Sequence, residues 1–177
     1  MSGKINIRRA MPGDAPIIAA LSEITFVESF KGTCSDEDLD HFVNKCFSPE
    51  GIEKELKDEN DFYFIAWLND DPAGYIRLKE DYTDYPAMKK YRAIELKRIY
   101  VLLEYQNKKI GAALMARALE LAVGEKFEAV WLGVWEFNDK AIEFYKKREF
   151  TDTGFTHTFY IGSTAQTDHW MIRMLPQ

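Results

Sequence analysis

The stretch Gln106-Asn107-Lys108-Lys109-Ile110-Gly111-Ala112 forms a short polar loop between a predicted β-strand and a predicted helix. Such a turn can bind phosphate, because the first backbone N–H groups of a helix lack partners and carry positive partial charge. Gly111 would let a phosphate approach the backbone closely, and Lys108 and Lys109 add positive charge. From these residues alone, an ordinary turn with surface lysines is an equally good interpretation.

The strand before this loop changes the phase of its alternation. Ile94 and Leu96 share one parity, whereas Ile99 and Val101 share the other. Because successive side chains of a strand point to opposite faces, this change predicts a β-bulge between Leu96 and Ile99. Bulges are frequent beside active sites; a misplaced strand boundary is the alternative explanation.

Apolar periodicity and turn residues predict the element order β-ααα-ββ-β-α-β-α-β-β, with about seven strands. The first strand contains Ile5 and Ile7, and the first helix follows Pro12-Gly13-Asp14. The remaining predicted helices are 35–47, one starting at Ser48-Pro49, 109–123 and 138–147, and the remaining strands are 61–68, 73–79, 94–102, 128–135, 150–162 and 168–175, with a loop at 80–90. This order predicts a single domain over residues 1–177, with a mixed α/β (α+β) sheet containing a parallel strand pair joined through a helix.

The composition is typical of a globular protein with an acidic balance. Apolar residues make up 46%, charged residues 29%, and the formal net charge is −6. This balance argues against a broad nucleic-acid surface, which needs clustered Lys and Arg. It is compatible with a cationic small-molecule substrate, although solubility alone explains the same acidity at least as well.

Several features bear on location and on metals. Cys34 and Cys46 are the only cysteines, Met1-Ser2-Gly3-Lys4 leads directly into strand-like sequence, and no apolar run approaches the roughly 20 residues that span a bilayer. We therefore expect a cytoplasmic protein that contacts neither a membrane nor nucleic acid. The histidines have no metal-ligand spacing, so we expect no metal site; they are His41, His157 and His169.

The loop at residues 106–112 resembles the pyrophosphate loop of the GNAT superfamily of acetyltransferases, usually written Gln/Arg-x-x-Gly-x-Gly/Ala. Gln106 and Gly111 fall in place, with the small residue Ala113 after them. Lys109 departs from the pattern, because it stands where the first Gly usually stands. We therefore expect a helical rather than left-handed backbone at Lys109 and an altered phosphate cradle.

A second block starts with the string Trp131-Leu132-Gly133-Val134-Trp135-Glu136. It continues as Asn138-x-x-Ala141-Ile142-x-Phe144-Tyr145-x-Lys147. It is similar to the Asn-x-x-Ala-x-x-(Phe/Leu)-Tyr signature of the same superfamily. Glu149 precedes Phe150 where the family has Gly-Phe, which leaves the geometry of that turn open.

Within the superfamily, the chain looks most like the PaiA type of bacterial spermidine/spermine N-acetyltransferase. The matching features are Thr25-Phe26-x-x-x-Phe30, Ile99-Tyr100, the string at 131–136 and Gln166-Thr167-Asp168.

The resemblance implies direct transfer of an acetyl group from acetyl-CoA (coenzyme A as the carrier) to a primary amine. The backbone of Ile99, Tyr100 and Val101 would pair with the pantetheine amides, if the strand at 130–135 splays away. Gly133 either marks that close approach or is a packing compromise. The remaining cofactor-binding residues implied are Gln106, Asn107, Lys108, Lys109, Ile110, Gly111, Ala112, Asn138, Lys140 and Tyr145.

Two residues are candidates for proton transfer. Tyr145 lies two helical turns after Asn138, so both side chains face the same way, and the family's general-acid tyrosine has this motif position. Glu95, on the strand before the phosphate loop, is our candidate for the base, ahead of Glu136 and Glu28. A core tyrosine and a solvated strand-edge carboxylate are the alternatives.

The acceptor is expected between the early helices and the last strand pair. Glu28, Phe30 and Tyr160 are the candidate substrate residues, with Glu23, Phe26 and the acidic run 36–40 nearby. Aromatic walls with carboxylates suit a polyamine, spermidine or spermine. Another small amine, a protein N-terminus or a low-turnover acyl-CoA-binding regulatory module are the alternatives. Assembly into a homodimer is left open.

Overall fold

The chain forms one seven-stranded mixed sheet with helices on both faces, as a computed structural model of residues 3–176 describes it. The expectation that no secretory segment is present rests partly on Met1 and Ser2, which lie outside the described residues. The elements are β1 (Ile5–Arg9), α1 (Ala15–Phe30), α2 (Asp36–Cys46), α3 (Pro49–Lys57), β2 (Asp61–Leu68), β3 (Asp71–Lys79), β4 (Ala93–Val101), α4 (Ile110–Gly124), β5 (Ala129–Trp135), α5 (Asp139–Lys146), β6 (Thr151–Ile161) and β7 (Thr164–Met174). The predicted element order is confirmed.

The strands lie side by side in the order β1-β2-β3-β4-β5-β7-β6. Only β4 and β5 run parallel, and α4 connects them. The other neighbouring pairs are antiparallel. The sheet therefore has the predicted parallel pair at its centre.

Two strands start earlier than predicted, because their turns are tighter. The turn before β3 has only two residues, with Asn69 left-handed at φ 57°, so Asp71 already pairs with Leu68. The turn before β7 is also short, so Thr164 pairs with Ile161 and β7 begins four residues before the predicted 168. The predicted loop at 80–90 contains a short 3₁₀ turn over Pro86–Lys90.

The β-bulge in β4 is confirmed. Arg77 pairs with Arg98, and the next residue of β3, Leu78, pairs with Leu96, so Lys97 is the extra residue. The bulge restores the core-facing parity, because Ile94 and Leu96 before it and Ile99 after it all pack in the same apolar cluster.

The helices cover the sheet with two separate apolar layers. Helix α4 packs Leu114, Met115 and Ala118 against one face, while α1 packs Ile18 and Leu21 against the other. A third cluster lies between α1, α2 and β6; its buried members are Phe26, Phe30, Leu39, Val43, Phe47 and Ile161. This aromatic cluster forms a wall at one end of the sheet.

A buried ion pair joins β2 and β3. The Arg77 guanidinium donates to both carboxylate oxygens of Asp61 at 2.8 and 2.7 Å, and the two side chains are 8% and 0% exposed. Glu55 of α3 lies 3.0 Å from the same guanidinium and 3.2 Å from that of Arg98. Within residues 3–176, no helix combines the length and apolarity that a membrane crossing requires.

Candidate active site

The central feature of the site is a cleft of about 770 Å³ where β4 and β5 separate. The two strands pair only from Ala93–Ala129 to Glu95–Trp131. Beyond these pairs β4 remains bound to β3, and β5 remains bound to β7. The cleft runs from the first turn of α4 to the aromatic wall of α1 and α2. The splay that the sequence predicted is therefore present.

The phosphate end of the cleft begins at a left-handed residue. Lys109 has φ 66° and ψ 8° and is the N-cap of α4, so the expected helical backbone at Lys109 is wrong. The geometry needed to turn the chain into α4 is kept although Gly is replaced, at a cost of about 1–2 kcal/mol. Gly111 and Ala112 of the first turn line the cleft, and within the described chain no side chain caps the helix. Their backbone N–H groups fit a phosphate.

Polar side chains tie this loop to its surroundings. Gln106 donates from Nε2 to the carbonyl of Val101 at 3.2 Å, and Lys140 donates to Gln106 Oε1. Asn138 caps α5 by accepting from the N–H of Ala141 at 3.0 Å, which confirms its capping role. All three polar side chains, and Asn107, line the cleft.

Lys108 differs from the rest of the loop. It is exposed, its ammonium lies 5.0 Å from the centre of the Tyr105 ring, and it is outside the set of cleft-lining residues. Arg148, which the sequence reasoning missed, lines the cleft instead. Its guanidinium lies 3.6 Å from the Phe144 ring centre and donates to the Phe144 carbonyl at 2.8 Å. The Lys-Lys-Arg run after Tyr145 was the available signal.

The exposed edge of β4 forms one wall of the cleft. One edge of β4 is paired with β3, where Ile99 lies opposite Ile76, Tyr100 opposite Tyr75 and Val101 opposite Gly74. The side facing β5 is open, because β5 has diverged. An extended chain of amides could add there as another strand.

Gly133 is explained by packing. A Cβ at this position would lie 2.7 Å from Trp170 and 3.0 Å from Asp168 Oδ2. Both neighbours are side chains of β7, so the glycine accommodates the sheet's own residues. Of the two interpretations of Gly133, the structure supports the packing compromise.

Tyr145 projects from α5 into the cleft and is only 6% exposed. Burial is the largest cause that raises the pKa of its phenol above the ordinary 10, and the charge of Asp168 adds to it. The phenol therefore stays protonated near pH 7 and can donate a proton. Phe144 and Phe150 contact its ring edge-on at 5.5 and 5.8 Å between centres.

Glu95 lies on β4 at the last β4–β5 pair and is 5% exposed. Burial raises the pKa of this carboxyl to about 7. The ammonium of the bulge residue Lys97 lies 2.6 Å from Glu95 Oε2 and 3.1 Å from Asp84 Oδ2, with Asp81 at 3.6 Å. Glu95 is therefore a buried carboxylate that already has a cation beside it.

Asp168 is a second carboxylate in the cleft, and the sequence reasoning gave it no role. Burial raises its pKa to about 6 from an ordinary 3.8, while the neighbouring His169 lowers it. Only its place in the Gln166-Thr167-Asp168 string could have drawn attention to it.

The acceptor end of the cleft is aromatic and acidic. Phe30 stacks on Phe26 at 4.5 Å and lies 5.2 Å from Trp135, measured between ring centres. Glu28 is exposed and lines the same space. Tyr160 is 61% exposed on β6, and among the described residues it is outside the cleft lining, whereas the preceding Phe159 lies within it.

The acidic run 36–40 does not reach the cleft. Asp36 and Asp40 line a separate shallow depression with Val27 and Lys31. Asp38 packs against Gly162 at the β6–β7 turn, since a Cβ there would lie 2.0 Å from the carboxyl carbon. Of the expected substrate carboxylates, Glu28 is the one that the structure brings to the site.

Comparisons with known proteins agree with this geometry. The model of the "Acetyltransferase (GNAT) family" matches residues 25–150. An uncharacterised N-acetyltransferase of Lactobacillus delbrueckii subsp. lactis is 28% identical over 171 residues, covering 97% of this chain and 98% of that protein. One from Mycobacterium tuberculosis is 30% identical over 163 residues, covering 92% and 98%.

Two solved structures share the fold. The PaiA N-acetyltransferase of Thermoplasma acidophilum, in complex with coenzyme A, superposes with a TM-score of 0.80 at 20% identity, covering 97% of this chain and 99% of that one. The spermidine/spermine N-acetyltransferase of Vibrio cholerae gives a TM-score of 0.67 at 20% identity, covering 97% and 95%.

Proposed function

The chain belongs to the acetyltransferase (GNAT) family and is an N-acetyltransferase that uses acetyl-CoA; from this premise we propose that its acceptor is a polyamine, spermidine or spermine, acetylated directly on a primary amine. The observation that carries the proposal is the acceptor end of the cleft, where aromatic rings and carboxylates line one continuous space with the first turn of α4. Aromatic faces and carboxylates both attract an alkylammonium.

The charges lining the acceptor end support a substrate with more than one positive charge. Four carboxylates line the cleft, those of Glu28, Asp84, Glu95 and Asp168. Lys97 offsets part of this charge through Glu95 and Asp84. Glu28 and Asp168 have no side-chain hydrogen bond or ion pair within residues 3–176, so two carboxylates remain for ammonium groups of the acceptor.

The phosphate end supports the assignment of the cofactor residues. We assign the pyrophosphate to the first turn of α4 after Lys109, with Asn107, Lys140 and Arg148 around it. The open edge at 99–101 would hold the pantetheine amides. Bound there, acetyl-CoA supplies an activated acetyl group as a thioester.

Tyr145 is proposed as the general acid. A thiol has a pKa near 8.5, so its thiolate already leaves readily, and protonation by a phenol should contribute on the order of 10²-fold. Because burial keeps the phenol of Tyr145 protonated, the proton is available at pH 7.

Deprotonation of the acceptor is the larger task. An alkylamine resembles Lys, with a pKa near 10.4, so making it neutral at pH 7 costs about 4–5 kcal/mol. A carboxylate in the cleft, or a water chain that ends in one, would accept that proton, and Glu95 is the candidate that the sequence indicated. Its ion pair with Lys97 stabilises the charged form and so weakens it as a base.

The test is a comparison of acceptors by thiol release from acetyl-CoA. The panel contains spermidine, spermine, a monoamine, amino acids, an aminoglycoside and a peptide with a free N-terminus. We expect the highest kcat/KM for the polyamines, because they carry several ammonium groups along a flexible chain and no carboxylate. Preference for the peptide would replace the polyamine with a protein N-terminus, and acetyl-CoA binding without release on any amine would favour the regulatory module.

A further inference from the structure

We propose that Asp168, on β7, is the residue that receives the proton of the acceptor amine, with Glu95 holding the bulge through Lys97. This inference rests on the proposed transfer to an amine, and it gives a catalytic role to a residue for which the sequence indicated none. It follows from the position of Asp168, from the partners of the two carboxylates, and from the groups around them.

The position of Asp168 places its carboxylate at the splay. β7 pairs with β5, so that Asp168 is opposite Trp135 and Trp170 is opposite Gly133. Oδ2 of Asp168 lies over Gly133, 3.0 Å from where a Cβ would be. Because Gly133 has no side chain, the carboxylate occupies that space and lines the cleft together with Tyr145.

The two carboxylates differ in their partners. Glu95 Oε2 has the Lys97 ammonium at 2.6 Å, and Asp84 shares that ammonium at 3.1 Å. No side-chain hydrogen bond or ion pair of Asp168 exists among residues 3–176, although the residue is half-buried beside Gly133 of β5. A half-buried carboxylate without a cation is unfavourable, so one that lines a cleft is a candidate for binding a cationic ligand.

The titratable groups that face Asp168 are consistent with this role. Tyr145 of α5 and Tyr100 of β4 line the same cleft as Asp168; burial is the main cause that raises the pKa of both phenols, and the charge of Asp168 adds to it. On its other sides are His157 of β6, which is paired with it, and the adjacent His169. Glu28, Glu95 and Lys97 also line the cleft.

The step balances with one proton released to solvent. The acceptor ammonium gives one N–H proton to an Asp168 carboxylate oxygen, and the freed nitrogen lone pair forms the C–N bond to the acetyl carbon. The C–S bond breaks, and its electrons go to sulfur, which takes the proton of Tyr145. The nitrogen then loses its second N–H proton to the phenolate of Tyr145, and the proton on Asp168 leaves to solvent, so the enzyme is restored and the products are neutral amide and thiol.

The experiment compares Asp168→Asn, Glu95→Gln and Asp152→Asn with the wild type by kcat/KM, from pH 7 to pH 9. Asp152 is a matched control, an aspartate of β6 outside the cleft whose carboxylate lies 3.6 Å from His169. We expect Asp168→Asn to lose about 10²-fold at pH 7, Glu95→Gln less than about tenfold, and Asp152→Asn about nothing. The Asp168→Asn deficit should shrink as the pH approaches the amine pKa near 10.4, because more acceptor is then neutral in solution.

Two further measurements separate chemistry from folding. Calorimetric acetyl-CoA affinity should be unchanged in Asp168→Asn, and Asp168→Glu should recover part of the activity at pH 7 because it restores a carboxylate. A loss below about threefold at pH 7, a deficit independent of pH, or a larger loss in Glu95→Gln would overturn the proposal. If the wild type acetylates another amine but no polyamine, the proposed acceptor fails, and the same comparison made with that amine still decides the role of Asp168.

Discussion

Glu95 and Trp131 form the last residue pair that joins β4 to β5. Two residues later on β4 the Lys97 bulge follows, and the two strands no longer pair. The same separation exposes the edge of β4 at 99–101 and opens the cleft that Tyr145 and Asp168 line. The open edge of β4 at 99–101 and the position of the candidate catalytic side chains therefore both depend on one local feature, the separation of β4 from β5.

Replacing Tyr145 with Phe should slow transfer and leave cofactor binding intact. Tyr145 makes no side-chain hydrogen bond within residues 3–176, so the hydroxyl is free to act on the leaving sulfur. We expect kcat to fall on the order of 10²-fold at pH 7, with unchanged acetyl-CoA affinity by calorimetry. Tyr91→Phe, outside the cleft, is the control. Unchanged turnover in Tyr145→Phe would remove the residue from the mechanism.

The left-handed Lys109 makes two substitutions informative. Lys109→Gly should raise the free energy of unfolding by about 1 kcal/mol, because Gly adopts φ 66° without the penalty that Lys incurs. Lys109→Ala keeps the penalty and removes only the charge. Since one charge near a helix N-terminus contributes about 0.3–1 kcal/mol, Lys109→Ala should weaken acetyl-CoA binding only a few-fold. Chemical denaturation and calorimetry measure the two effects, and destabilisation by Lys109→Gly would contradict the strain.

The pH profile of the wild type should identify the base. A carboxylate accepts a proton only when ionised, so kcat/KM falls as the pH drops through the pKa of the base in the free enzyme. Burial gives Asp168 a pKa of about 6 and Glu95 a pKa of about 7. With Asp168 as the base, the acid limb should persist in Glu95→Gln and be lost in Asp168→Asn. An acid limb that disappears in Glu95→Gln would assign the role to Glu95.

Removing one partner of the buried Arg77–Asp61 pair should destabilise the fold. Asp61→Asn leaves the guanidinium, 8% exposed, with only Glu55 as a carboxylate partner at 3.0 Å. Breaking a buried pair by removing one partner costs about 3–5 kcal/mol, and we expect the lower end because Glu55 remains. Urea unfolding followed by circular dichroism measures it; a loss below about 1 kcal/mol would show that Glu55 replaces Asp61 fully.

Much of the fold could be predicted because the decisive signals are local. The phase change between Leu96 and Ile99 located the bulge, and the caps Ser35 and Ser48 located the starts of α2 and α3. Tight turns shifted the starts of β3 and β7, since the sequence does not state which residues of a hairpin pair. Lys109 was expected to have a helical backbone, but its backbone is left-handed. The turn of the chain into α4 requires this conformation and outweighs the intrinsic preference of one residue.

The site was harder to predict where contacts are distant in sequence. Tyr145 and Asn138 carry a local motif, and both line the cleft. Asp168 reaches the cleft only through the pairing of β7 with β5, and Arg148 only through Phe144, whose ring lies between it and Gly111 of α4. On β6 the sequence indicated Tyr160, but the preceding residue, Phe159, lines the cleft, because successive side chains of a strand point to opposite faces.

The most direct test of the account is a single-turnover reaction of the enzyme loaded with acetyl-CoA and mixed with spermidine, followed by mass spectrometry of both amine and protein. Direct transfer predicts that spermidine gains the mass of one acetyl group while the protein mass stays unchanged. Unmodified spermidine in the presence of bound acetyl-CoA, or an acetyl group retained on the protein, would contradict it.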